Sequence, residues 1–373
     1  MLLSISSFSN LYGQSTAVNL SGNLNGVSCQ YSNIIDVGSG DFVLAVNDEN
    51  DVVAWGRDWG QLNPPSIEDD IIQVEAGYKH ALALTASGEV IGWGTNSNGA
   101  LDIPSDLSDV VQIAAGEYFS LALTSSGEVV GWGHNSSGSG QLNWPDHIND
   151  GNVVAIAAGG YHSMFLFSDG SVEVYGNNGW NNLTVPSGHT YVAISGGGQH
   201  SLALTDEGRV IGWGRGSYGQ TTIPVEAQSN IVEIQAGNQH SMALTADGEA
   251  LAWGLNSNEQ SSVPDISDDV IGIYTTAASF SMALTSSGEL VAWGSNNHGQ
   301  LNIPNGLMVQ SCGVYEDTDF KPETKDELQT AVDLWIDDNA TALSTYGEIN
   351  SWDVSLITDM NNLFADKTTF NDD

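Results

Sequence analysis

A Trp-Gly pair recurs along the chain at nearly fixed spacing, and no other feature narrows the possible folds as much. It falls at Trp55, Trp93, Trp132, Trp213, Trp253 and Trp293, with Tyr175-Gly176 in the one gap. The steps are 38, 39, 43, 38, 40 and 40 residues, so seven copies of one unit run from Ile34 to Pro304. At this period each unit is a small supersecondary element that buries its apolar surface only against its neighbours.

Within a copy the apolar residues alternate. "IIQVEAG", "HALALT", "EVIGWG" and "LDIP" are short strand-like runs separated by Gly, Asn, Ser and Asp. Turns such as "TASGE" and "TNSNG" supply residues that tolerate positive φ. Four short antiparallel strands per unit make a propeller blade. Seven blades can close into a ring that leaves only short, protected strand edges. The expected architecture is all-β, a seven-bladed propeller over residues 34–305, with residues 15–33 as an N-terminal flank.

The repeat reads "AGxxHSLALTxxGEVxxWGxNxxGQLxxP", most fully in residues 236–264. It resembles the RCC1 superfamily of seven-bladed propellers. The short, insertion-free unit looks less like the eukaryotic guanine-nucleotide exchange factor than like secreted bacterial relatives, including β-lactamase-inhibitory protein II. Exchange activity in that superfamily uses an inserted wedge and a basic, chromatin-facing tail. This chain has neither, its longest step lying around "HNSSGSGQLNWPDHINDGN". The resemblance therefore implies a binding propeller rather than an exchange factor.

The net charge is −39, with seven Lys and Arg in 373 residues, four of them inside the repeats: Arg57, Lys79, Arg209 and Arg215. Such a surface repels phosphate backbones, which argues against nucleic acid as a partner. It also predicts that added salt stabilises the fold, because carboxylate repulsion opposes compaction. Raising salt from about 10 mM to about 150 mM shortens the Debye length from about 30 Å to about 8 Å. The melting temperature should rise across that range; a flat or falling curve would show that the charges are too widely spaced to matter.

No run of 18 apolar residues is present, so no helical membrane span is expected. The opening "MLLSISSFSNLYGQSTAV" is similar to the end of a bacterial secretory signal, with cleavage near Gly13 or Gln14 and its basic start missing. Residues 1–14 are thus expected to be a truncated signal peptide, with a disordered tail as the alternative, and the protein to be extracellular or at the cell surface. Cys29 and Cys312 flank the repeats. Ring closure would bring the two flanks together, so they form a candidate disulfide; in a reducing compartment they would be isolated thiols.

After a linker at 306–322 the pattern changes. "KPETKDELQTAVDLWIDDNA" opens with a capping box, Thr324 to Glu327, and Leu328, Ala331, Val332 and Trp335 recur at helical spacing. "INSWDVSLITDMNNLFADKTTFNDD" resembles the first unit of a BspA-type bacterial surface repeat, a leucine-rich-repeat-like array. Residues 323–373 are therefore expected to be a short helix plus one incomplete surface-repeat unit.

Little in the sequence argues for catalysis, a metal or a cofactor. His80, His162, His200 and His240 occupy one slot of the repeat, whose other occupants are Phe42, Phe119 and Phe280. A phenyl ring neither ligates a metal nor moves a proton, so the slot wants a flat packed ring. "GRGSYG", Gly214 to Gly219, matches a dinucleotide-binding pattern in form only, since it joins two strands and opens no helix. No GxSxG, HExxH or P-loop appears. The acidic groups Glu68-Asp69-Asp70 and Asp268-Asp269 sit in links between repeats, where water solvates them.

The ring offers a surface instead. Antiparallel strands put the "AGxxH" and "WGxNxxG" turns on one face and the "TxxGE" turns and links on the other. The first face carries Phe42, Trp59, Tyr78, Tyr118, Tyr161, Trp180 and Tyr218; the second is Ser, Thr, Asp, Glu and Gly. Aromatic rings among adaptable polar residues are the material of binding hot spots. The expectation is a non-enzymatic propeller that binds an unknown protein partner through its aromatic turns. A carbohydrate (glycan) ligand or an adhesion scaffold is the alternative. Equivalent turns hold different residues, "YK", "EY", "GY", "GQ" and "NQ", which favours one composite site over seven identical sugar pockets.

Overall fold

The computed structural model describes residues 35–38, 40–135, 140–275, 279–307, 309 and 328. Residues 35–307 contain seven antiparallel sheets of three strands, one per repeat, with strand order following the chain. Blade 2 shows the plan: Ile71–Ala76, His80–Thr85 and Val90–Gly94. First strands of successive blades meet all round the ring, and Ile35–Gly38 touches both Ile71–Ala76 and Val270–Tyr274. The ring is closed and its first strands are innermost, as the repeat pattern predicts.

One expectation fails. The fourth run, "LDIP" at 101–104 in blade 2, joins no sheet. It is short, and Pro104 has no N–H to offer a ladder. Leu101 and Ile103 still pack against the blade.

The middle strand explains how blades stack. In "HALALT" the large Leu82 and Leu84 lie on one side and the small Ala81 and Ala83 on the other. Leu82 and Leu84 pack with Val110, Ile113, Ala122 and Trp132 of blade 3. Ala81, Ala83 and Trp93 pack against Leu44 and Val46 of blade 1. Large side chains of one blade thus meet small ones of the next, and each buried leucine contributes about 1.5–3 kcal/mol. Blade 4 departs from this: Tyr175 replaces tryptophan, and Phe165 stands where other blades have alanine. Phe165 is fully buried and sits edge-on to Trp144, centroids 5.1 Å apart at 77°. Aromatic volume lost from the third strand returns on the second.

A β-bulge in six of the seven first strands, between Ile71 and Gln73 in blade 2, shifts the alternation by one residue. Ile71 then shares a side with Val74, and Gln73 and Glu75 turn toward blade 3. The Gln73 amide donates to Ile113 O at 2.7 Å and accepts from Ile113 N at 3.0 Å. Gln112 repeats the pairing with Ile156 at 2.9 Å in both directions. A side-chain amide thus supplies the backbone partner that an innermost edge strand lacks.

The indoles complete the ring. Trp93 Nε1 donates to Gln61 O at 2.8 Å, across a blade boundary, and Trp132, Trp213, Trp253 and Trp293 each do the same in their own blades. Trp55 reaches Gln300 O at 2.9 Å, joining blade 1 to blade 7. The glycine after each of these tryptophans has positive φ, from 92° to 107°, and Gly176 after Tyr175 has 135°, conformations that alanine would strain.

The chain divides into two compact units, Met1–Gly22 with Cys29–Cys312, and Asn23–Ser28 with Gly313–Asp373. In the second, Leu328 is helical and buried. The remainder of the anticipated helix and surface-repeat unit, residues 1–34, and Cys29 and Cys312 lie outside the described residues. Among the described residues no helix is long and apolar enough to cross a membrane.

Candidate functional site

The ring slot of the repeat is structural. His80, His162, His200 and His240, and Phe42, Phe119 and Phe280, are all at most 1% exposed. Six of the seven rings, all but Phe280, lie against a glycine of the preceding turn: a Cβ on Gly77 would stand 2.2 Å from His80 Cε1, and one on Gly116 2.1 Å from Phe119 Cε1. Each histidine Nε2 meets a serine of the next blade, at 3.1 Å for Ser120, 3.0 Å for Ser201, 3.0 Å for Ser241 and 2.9 Å for Ser281. Ser120, Ser241 and Ser281 donate their one hydroxyl proton to Ala100, Gln220 and Gln260 carbonyls. The imidazoles there must therefore carry the proton on Nε2. Nδ1 of His162, His200 and His240 is buried without a partner among the described residues. Burial lowers His80, His162 and His240 to about 4 and His200 to about 3, so all four are neutral.

This burial corrects one residue of the predicted face. Phe42 is in the core, because it fills the histidine slot of blade 1 and packs on Gly38. The other six rings sit on turns. Trp180 and Tyr218 are 47% and 44% exposed, and Trp59, Tyr78, Tyr118 and Tyr161 are half-buried.

The structure joins most of them into two groups. In the first, Tyr78 and Tyr118 of adjacent blades lie 5.4 Å apart, and His134 extends the row 6.4 Å from Tyr118. Arg57 and Lys79 lie 4.3 and 4.1 Å from the Trp59 ring, and Lys79 5.3 Å from Tyr78. Tyr161 hydrogen-bonds Glu117, and burial raises both groups. In the second, Arg215 lies over Trp180 at 4.9 Å and Tyr218 at 5.3 Å. Three of the four Lys and Arg among the described residues are thus on this face against aromatic rings. Arg209 sits with Glu207, 3.5 Å away, in a "TxxGE"-type turn of the other face.

Sequence reading missed these cations as part of the face, although "WGR" in repeats 1 and 5 was the visible sign. It also missed the axial pocket at the same end of the ring. The ends of first strands and the residues just after them, from all seven blades, line it, with Asp36, Glu75, Glu117 and Gln235 among otherwise small residues. Burial, then the neighbouring Glu75 carboxylate, raises Asp36 well above the ordinary aspartate range. Asp36 accepts from Ala76 N at 2.7 Å and Glu75 from Ala115 N at 3.2 Å, so these carboxylates also tie blade to blade.

A family model for the Regulator of chromosome condensation (RCC1) repeat matches residues 71–100, 110–139, 153–179, 191–220, 231–260 and 278–300. No curated protein matches the chain. Among solved structures, the CRINKLY ectodomain of the Arabidopsis thaliana receptor kinase ACR4 is 18% identical with TM-score 0.58, covering 72% of this chain and 97% of its own. The ectodomain of the Physcomitrella patens receptor kinase CR4 is 22% identical with TM-score 0.56, covering 70% and 74%. Prp20p from Saccharomyces cerevisiae is 22% identical with TM-score 0.54, covering 69% and 81%. With six matched repeats, a seventh blade of the same build and these neighbours, the chain carries RCC1 repeats and folds as an RCC1-type β-propeller.

Proposed function

We propose that the protein is a non-catalytic interaction module, displayed outside the cell, that holds a protein partner on its aromatic turn face. The observation that carries this reading is the gathering of six half-buried or exposed Trp and Tyr rings and three cations on the turns of one face. Tight turns need only small residues, and Trp, Tyr and Arg are the residue types that dominate hot spots. Similar propellers support the class of ligand: the yeast protein Prp20p has binding properties toward Gsp1p and histones.

Alanine at Trp59, Tyr118, Trp180 and Tyr218, one at a time, tests it. With the captured partner, at least one substitution should weaken binding by about thirtyfold, the effect of a central hot spot. Stability should change by no more than about 0.5 kcal/mol at the exposed Trp180 and Tyr218. If every variant melts early and none weakens binding selectively, the rings are packing residues and the reading fails. Retention on a glycan array in place of a protein partner would also overturn it.

A further inference from the structure

Repeats 1 and 5 place arginine at the same position, directly after Trp-Gly: Arg57 and Arg215. They also place an aromatic ring two residues before the buried turn residue, Trp59 before Gln61 and Tyr218 before Gln220. These turns close alike, Trp59 N donating to Gln61 Oε1 at 2.7 Å and Tyr218 N to Gln220 Oε1 at 3.0 Å. The other repeats have Thr95, His134, Asn177, Leu255 and Ser295 at the arginine position. The ring therefore bears two matching arginine–aromatic knuckles, on blades 1 and 5. At about 51° per blade they stand about 154° apart around the axis.

Arg215 is held before any ligand arrives. Trp180 and Tyr218 flank its guanidinium, and Nη1 donates to Gln199 Oε1 at 2.8 Å. Its Nε is buried with no acceptor among the described residues. Although the chain has 46 Asp and Glu, no carboxylate lies within ion-pair distance of Arg215 or Lys79 among the described residues. At the other knuckle Arg57 has Asp41 at 3.9 Å, which His298 shares at 3.7 Å, and Asp58 is engaged with Gly60 N at 2.7 Å. Lys79, over Trp59, is the uncompensated cation there.

We propose that the Arg215 knuckle, with its counterpart at Arg57 and Lys79, is a carboxylate anchor: each receives an Asp or Glu side chain of the protein partner. The inference rests on the turn face being the docking surface and adds the partner's chemistry. A guanidinium fixed on aromatic faces gives up little freedom on binding, and its planar fork matches a carboxylate. The overall charge of −39 favours a basic partner only at long range. At physiological salt, where screening acts beyond about 8 Å, the local groups decide which residue seats.

The test is NMR of the arginine Nε–H groups in the intact chain, titrated with Ac-Gly-Glu-Glu-Gly-NH2 and with the matching Gln and Lys peptides. The Glu peptide should give saturable shifts at Arg215 and Arg57, with Arg209 on the other face unmoved and the Gln and Lys peptides without effect. Trp180→Ala should weaken the Arg215 response by about threefold, as expected for losing a cation–π contact, and leave Arg57 unchanged. Shifts of equal size with the Gln peptide, equal shifts at Arg209, or no saturable shift would overturn the proposal. The alanine series above is read out on the partner itself, so loss of binding there without carboxylate selectivity here would sink this inference and leave the docking face standing.

Discussion

Replacing His80, His162, His200 and His240 together with phenylalanine should transform the response of the fold to acid. Burial holds three of these imidazoles at about 4 and His200 at about 3, against 6.5 in an exposed chain. A group whose pKa is depressed by folding gives stability that is complete above its unfolded pKa and is lost as pH falls through the folded one. The window is therefore pH 6.5 down to about 4, and each histidine loses about 3 kcal/mol across it. Buried carboxylates act in the opposite sense. Burial raises Glu233 to about 8, so its contribution is full below 4.5 and is lost as pH rises through 8. The comparison that isolates the histidines is variant minus parent. At pH 8 the variant should be the less stable, by up to about 4 kcal/mol, since Ser120, Ser201, Ser241 and Ser281 each lose a bond of about 1 kcal/mol. Below pH 6 the difference should reverse and grow by several kcal/mol. Denaturant melts from pH 4 to 8 measure it; a difference independent of pH would mean that the imidazoles titrate in the fold as they do in the unfolded chain. The protein supplies its own precedent in Phe119, whose neighbour Ser163 is satisfied by Gln141 O at 2.6 Å.

Trp93→Ala should cost about 3–5 kcal/mol, the range for emptying a large aromatic site in a core. The side chain is 7% exposed, packs between blades 1 and 2, and bonds Gln61 O at 2.8 Å. The alanine leaves a cavity and a buried carbonyl with one partner fewer. Trp180→Ala, removing the same ring from a turn at 47% exposure, should change stability by no more than about 0.5 kcal/mol. Equal losses in the two variants would show that the third-strand indole is not the inter-blade contact described here.

The seven blades were legible because each depends on a repeated local grammar, alternating residues between glycine turns. What sequence reading missed lies between blades. The bulge at Ile71/Gln73 breaks strict alternation without changing composition, so Gln73 looked like one more polar residue in an apolar run. Gln112 and Glu233 hold the same slot, and that recurrence inside innermost strands was the available signal. The histidine–serine contacts left a similar trace: His80, His162, His200 and His240 are each followed one repeat later by serine, whereas Phe42 and Phe280 precede Ala81 and Val43. Phe42 was misplaced because a ring at a strand start and a ring on a turn differ by one residue, and blade 1 is one residue short there. The cations of the turn face escaped notice because net charge was read over the whole chain rather than face by face.

Partner contact through the turn face is tested most directly by site-specific photo-crosslinking in the medium of the cells that make the protein. A photoreactive phenylalanine derivative would replace Tyr118 or Tyr218 on that face and, as controls, Ser126 or Glu207, which are exposed on the opposite turns. A discrete protein adduct should form from positions 118 and 218 and be absent from 126 and 207. Adducts from the opposite face alone, equal labelling from both, or no discrete protein adduct from 118 and 218 would contradict the assignment of the aromatic turns as the binding surface.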